Sequence, residues 1–353
     1  MSSRITWSAP VVLGLVLALF GPYLSAQQTF KTTIYFDFSA PLNTDGPKTV
    51  SLFNQFNFRR AYFTYENKLN DNLKFRFRYD ADNTANITSV DFGKATTKKD
   101  DKLRPFIKHL YLEYSNLIPN SVLKLGMEET LTFKPAEDRW GYRSVAKTLT
   151  DGYKDVTGVD IDATSADIGV SLTGSLSKYL RYGFQVINGA AYSHAENDKF
   201  KKVAAQVQLV PLAGLSVVGY VDYEKQNDSQ KALTYKVDSF FEMVRNLTVG
   251  FEWFTYRNDL NVVKATGARY NVGGRSLFGR YVIQDNLSLF GRYDAYEPNS
   301  RVDNDRLHLA IVGFDWMPFH STFRIQPNLW LYSYQDTAKK NDITMAMTLF
   351  MEF

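Results

Sequence analysis

Two groups of residues carry most of the ionisable chemistry in this chain. The first is basic and alternates along short stretches. It comprises Arg60 in RAYFTYE, then Lys74, Arg76 and Arg78 in LKFRFRYD, with Lys124, Arg181, Arg292 and Arg324 at the polar positions of later stretches. The second is one segment, 129–161, where Glu137, Asp138, Arg139, Arg143 and Lys147 surround Trp140 and Tyr142. Cations two residues apart on a strand project to one face. The first group is therefore a ladder that attracts and steers anions, and it offers no nucleophile. No HExxH, GxSxG or phosphate-loop motif is present, and His109, His194, His308 and His320 are scattered. We expect no catalytic residues, no bound metal and no cofactor.

Composition narrows the class further. The chain has 353 residues, no cysteine and a formal charge of +4 with no Lys/Arg block. These features give no framework of disulfides, no cysteine-based metal site and no nucleic-acid footprint. Aromatics make up 15% of residues, yet mean hydropathy is −0.29, which excludes a bundle of membrane-spanning helices. The first 26 residues hold one cation, Arg4, an apolar run from Val11 to Phe20 and the small pair Ser25-Ala26. That layout predicts a secretory signal peptide over 1–26, cleaved after Ala26, because the run is too short to span a bilayer.

The elements that must position the charges are strands. From residue 27 onward, apolar and polar residues alternate with period two. In LKFRFRYD, Leu73, Phe75, Phe77 and Tyr79 oppose Lys74, Arg76, Arg78 and Asp80. The pattern predicts sixteen strands, over 31–39, 52–66, 73–83, 106–115, 121–128, 162–174, 180–190, 201–210, 215–225, 232–241, 247–257, 268–283, 287–297, 305–316, 321–334 and 342–353. Short turns such as PLAG and QDN alternate with longer connections, of which 40–51, 84–105 and 129–161 are the longest. One apolar face, one charged face and this alternation of loop length predict an all-β fold. The fold is a transmembrane antiparallel β-barrel of about 16 strands, forming one domain over 27–353. A barrel of that size keeps a watery bore.

Within the barrel, the basic positions point inward with Glu66, Asp80, Glu113, Glu128, Asp222, Glu252 and Asp294. A basic wall facing an acidic loop would set a transverse field favouring small polar or charged solutes. Trp140 and Tyr142 suggest that 129–161 packs against the inner wall. In YNVGGRSLFGRY a bulge at Gly273-Gly274 would turn Arg280 inward and leaves Arg275 unassigned.

The ending TMAMTLFMEF puts Met347, Leu349, Met351 and Phe353 on one parity. In this it resembles outer-membrane barrel proteins, which end on an aromatic after alternating apolar residues. The resemblance implies that Phe353 is the signal read by the barrel-assembly machinery. Gly126, Pro135 and EDRWGYRSVAKTLTD together resemble the loop region of a broad bacterial porin family that includes phosphate-selective porins. That implies a bacterial outer-membrane location, a third loop folded inward as a constriction, a homotrimer among outer-membrane lipids, and passive diffusion of small hydrophilic solutes; the weak anion preference expected comes from the basic wall itself. The loop lacks the dense cationic cluster of the phosphate channels. The alternatives are a substrate-specific channel for phosphate or sugar and an outer-membrane barrel hydrolase.

Overall fold

The computed structural model describes residues 27–43, 54–82, 86–91, 96–100, 104–161, 163–192, 194–196, 198–225, 227–262, 269–320 and 322–353. The expected signal segment 1–26 lies outside the described residues. The strands are β1 (Gln27–Pro41), β2 (Gln55–Lys68), β3 (Leu73–Asp82), β4 (Asn86–Asp91), β5 (Thr96–Asp100), β6 (Arg104–Ser115), β7 (Ser121–Glu129), β8 (Ala166–Ser177) and β9 (Leu180–Ile187). They continue as β10 (Lys202–Leu212), β11 (Leu215–Lys225), β12 (Lys231–Phe241), β13 (Leu247–Val262), β14 (Arg269–Gln284), β15 (Leu287–Glu297), β16 (Leu307–His320), β17 (Phe323–Tyr334) and β18 (Asp342–Glu352). Each of the sixteen expected strands is present. β4 and β5 form a separate two-stranded sheet within the second long connection, which alternation did not predict.

The other sixteen strands form a closed antiparallel barrel in which each pairs with its sequence neighbour and β18 pairs with β1. The C-terminal stretch closes it. Ile34 faces Met351, Phe36 faces Leu349 and Phe38 faces Met347. Thr32 and Phe353 exchange two backbone hydrogen bonds of 2.9 Å, so pairing persists to the final residue. Closure leaves no unpaired strand edge in the barrel, the condition for a sheet in lipid.

One face of the barrel strands is apolar and points out. Leu125, Phe184, Leu277, Met345 and Met347 are exposed there, while Asp80, Glu128, Gln185, Glu252 and Gln326 on the opposite parity are buried inside. An outer belt of this size is far beyond the apolar patch of a soluble monomer and calls for a lipid surround. Short turns gather at one rim, where Asn116, Asn120 and Asn246 adopt positive φ, a conformation asparagine tolerates. Long connections gather at the other rim.

Two irregularities decide what faces the lumen. Tyr35 lies opposite Arg60 and Phe36 opposite Phe58, so Arg59 is an extra residue on β2. Arg78 lies opposite His109 and Tyr79 opposite Ile107, so Lys108 is extra on β6. Each bulge turns two consecutive basic residues inward. The bulge expected at Gly273-Gly274 is absent. Pairing of β13 with β14 runs unbroken from Tyr270 to Tyr281, leaving Arg280 inward and Arg275 on the outer face.

A candidate channel constriction

Residues 130–161, following β7, fold into the barrel. Pro135 begins α1 (Lys134–Trp140), and Gly141 at φ 69° ends it with an N–H bond to the Glu137 carbonyl. A second turn, α2 (Lys154–Thr157), ends at Gly158 in the same way. Gly126, beside the loop's departure point, has φ 130°, and a Cβ there would stand 2.3 Å from the Leu110 carbonyl oxygen. Only glycine fits that approach.

The loop has an apolar side. Trp140, Tyr142, Leu149 and Tyr153 are each at most 2% exposed. Tyr142 stacks on Phe290 with centroids 4.2 Å apart, Tyr153 on Tyr296 at 4.3 Å, and Trp140 meets Phe278 at 5.6 Å. The Trp140 indole N–H donates to the Ala146 carbonyl at 2.9 Å. Burying such rings stabilises by roughly 2–3 kcal/mol each. The loop is therefore fastened to the wall made by β12 to β17.

Wall side chains also grip the loop's backbone. Arg59 pairs with Asp37 at 2.6 Å and donates to the carbonyls of Ser144 and of Val145, the latter at 3.1 Å. Lys236 donates to the Thr132 carbonyl at 3.0 Å and pairs with Asp238 at 2.9 Å. Arg292 donates to the Lys147 carbonyl at 2.5 Å while held by Asp294. The Tyr153 hydroxyl donates to Asp294 at 2.7 Å, and Ser144 bonds Gln326 at 2.7 Å. A cavity of about 310 Å³ remains between the loop and β1, β2 and β17, lined by Asp37, Arg59, Lys147, Tyr153, Arg292 and Trp330.

On β2, β3, β6 and β7 five of the predicted basic residues, Arg60, Lys74, Arg76, Arg78 and Lys124, come together on the lumenal face. Arg60 pairs with Asp80 at 3.2 Å and Asp82 at 2.8 Å. Arg76 and Lys124 share Glu129 at 3.0 and 3.1 Å, and Lys74 pairs with Glu66 at 3.0 Å. Lys108 approaches Asp80 at 3.6 Å. Arg78 differs from these neighbours. It donates to Thr64 at 2.8 Å and lies 5.0 Å from the Tyr62 ring, and it has no carboxylate partner among the described residues.

Three sequence expectations need correcting. Arg292 is 5% exposed and sits beneath the loop instead of facing open water. Arg181 shares the inward parity of Gln185 but is exposed at the short-turn rim instead of within the bore. The loop does not present an acidic face, because Arg143 takes both Glu137 and Asp151 at 2.8 Å. Burial alone would lower the basicity of Arg143, but those two carboxylates hold its pKa well above the ordinary arginine value. Asp138 pairs with Lys134, Arg139 approaches Glu242 at 3.6 Å, and Lys147 approaches Asp151 at 3.7 Å. Arg324 pairs with Asp315 and lies 5.5 Å from the Tyr142 ring.

Sequence reasoning missed Arg59, Lys108 and Lys236. The first two had a signal. The apolar parity switches from Phe56 and Phe58 to Ala61 and Phe63 across Arg59-Arg60, and from Ile107 to Leu110 across Lys108-His109. Among the described residues no cluster of His, Asp and Glu is arranged to hold a metal ion.

No protein-family description and no curated protein sequence matches the chain. Solved structures do. The anion-selective porin from Comamonas acidovorans aligns with a TM-score of 0.62 at 10% identity, covering 93% of this chain and 100% of that one. The outer membrane channel DcaP of Acinetobacter baumannii aligns at 0.60 and 12%, covering 95% and 99%. OmpT of Vibrio cholerae, an outer membrane protein described in a trimer form, aligns at 0.59 and 12%, covering 93% and 100%. At these identities the likeness establishes the fold, which is that of the closed sixteen-stranded barrels of bacterial outer membranes.

Proposed function

We propose that this protein is an outer-membrane porin, a water-filled channel through which small hydrophilic solutes and ions diffuse passively. The carrying observation is the loop folded into the lumen and tied to its wall, with Arg59 of β2 holding the Ser144 and Val145 carbonyls. Its aromatic side is fastened to β12–β17, and the basic residues of β2, β3, β6 and β7 line the lumen beside it. A fixed constriction beside a charged wall sorts solutes by size and sign. Arg78, whose charge has no carboxylate partner among the described residues, supports a weak anion preference. Glu129, Asp80 and Asp82 offset most of its basic neighbours, which keeps that preference small.

In this reading the short-turn rim is periplasmic and the long-loop rim faces outward. The chain is exported with its signal peptide removed, is inserted by the barrel-assembly machinery acting on the Phe353 strand, and works as a homotrimer without catalysis. Purified, heat-modifiable protein in a planar bilayer is expected to give stable ohmic channels with a modest reversal potential in a KCl gradient. Folded protein that gives no conductance would overturn the reading.

A further inference from the structure

Arg275 has no place in the channel. It lies on the outer face of β14, exposed, between Trp253 of β13 and Ala295 of β15. Below it toward the short-turn rim the outer face is apolar, with Leu277, Tyr281 and Ile283 on β14, Phe251 on β13 and Val312 and Phe314 on β16. From Arg275 upward the face turns polar. Arg257 is exposed above Trp253, Arg306 pairs with Glu297 at 2.9 Å, and Asn271 and Ser300 are hydrogen-bonded to each other. Arg275 and Arg257 have no carboxylate partner among the described residues.

Height explains the change. Arg275 stands nine residues above Gln284, the last residue of β14. At about 3.4 Å per residue and a tilt near 40°, that is roughly 23 Å, close to the top of an apolar band about 25 Å tall. A lipid-facing arginine is strongly unfavourable at mid-bilayer and nearly neutral at the interface. There it meets lipid headgroups. Gly273 leaves room beside it, since a Cβ at that position would meet nothing nearer than 3.7 Å. The resulting notch, about 230 Å³, is lined by Trp253, Asn271, Arg275, Glu297, Ser300 and Arg306. Guanidinium groups match phosphate oxygens in geometry and charge, and an indole ring at this level suits the interface.

We propose that this notch binds a phosphate-bearing lipid of the leaflet at the long-loop rim, with Arg275 holding the phosphate and the exposed Arg257, above the notch on β13, adding positive charge at the headgroup level. The inference rests on the outer-membrane placement of the barrel and is independent of conductance. The test uses the full folded barrel in detergent, wild type and R257Q/R275Q, with native mass spectrometry against three probes: bis-phosphorylated lipid A, the same lipid without its phosphates, and inorganic phosphate. Wild type is expected to retain one lipid A. The double variant should bind it about twenty-five-fold more weakly, since each arginine at an anionic surface contributes about fivefold. The dephosphorylated lipid should bind poorly, and millimolar inorganic phosphate should not displace lipid A. Equal affinity in the variant, equal affinity for the dephosphorylated lipid, or displacement by inorganic phosphate would each overturn the proposal. Single-channel conductance of the same samples is expected to be unchanged. Loss of channels in both proteins would sink the porin reading and leave the lipid result standing.

Discussion

Replacing Arg78 with glutamine removes a lumenal positive charge without stranding a carboxylate, because Arg78 bonds only Thr64 and the Tyr62 ring among the described residues. An ion passing about 6 Å from that charge in a water-like dielectric gains or loses ~0.7 kcal/mol. At 0.1 M salt the screening length is about 10 Å, which leaves ~0.4 kcal/mol. The substitution raises the barrier for anions by that amount and lowers it for cations equally. The permeability ratio should therefore move about fourfold toward cations. At 1 M salt the screening length falls to about 3 Å, so the same change should shrink to less than about 1.5-fold. The assay is the reversal potential across a planar bilayer in a KCl gradient at both ionic strengths. R181Q serves as the control, since Arg181 is exposed at the short-turn rim, and it should shift the potential little. No shift for R78Q at 0.1 M, or a shift that persists undiminished at 1 M, would refute the assignment of Arg78 to the constriction.

Trp140→Ala should loosen the loop, at a cost of about 3–5 kcal/mol for an indole this buried, and raise single-channel conductance while heat-modifiability of the barrel persists. An unchanged conductance would show that the loop does not limit flow. Arg59→Gln releases two loop carbonyls and is expected to increase current noise more than Arg60→Gln does, because among the described residues Arg60 bonds strand side chains, Asp80, Asp82 and Tyr62; equal noise would count against the tether. Asp151 gives a pH dependence of known sign. Burial raises its pKa, but Arg143, Lys147 and Lys108 outweigh that and hold it below the ordinary aspartate value. Its contribution to loop anchoring is thus complete above about pH 4 and is lost only as pH falls through the lowered folded value. Channel records should be steady from neutral pH down to that range, and a transition near neutrality would contradict the pairing. Deleting Phe353 should reduce the folded fraction in cells while leaving the barrel refolded in detergent with near-normal melting, and equal cellular yield would remove its role as an assembly signal.

Period-two alternation is a local property of the chain, and sixteen strands, their outward faces and the closing role of 344–353 were all legible from it. Leu73, Phe75 and Phe77 outside with Lys74, Arg76 and Arg78 inside needs no long-range information once one face must meet lipid. The placement of Trp140 and Tyr142 against an inner wall was also readable, because large rings gain little in a solvated loop. What alternation could not supply was register. The bulges at Arg59 and Lys108 depend on which residues stand opposite across strands, and the parity switches that mark them become meaningful only with the partners known. The β4–β5 hairpin was invisible for a related reason: it forms a sheet separate from the barrel, and its sequences NITSVD and TTKKD do not alternate apolar with polar residues.

Charge followed the same division. The sequence alone determined that the lumen would carry many cations and acids, since residue types and parity are fixed by the chain itself. Only the tertiary structure decided which of those charges remain free. Arg143 consumes Glu137 and Asp151, Arg292 disappears under the loop, Arg275 turns to the lipid, and Arg78 keeps its charge without a carboxylate among the described residues. The physical reason is that charge pairing is set by distances of three to four ångströms between residues far apart in the chain. Spacing along a strand does not encode those distances.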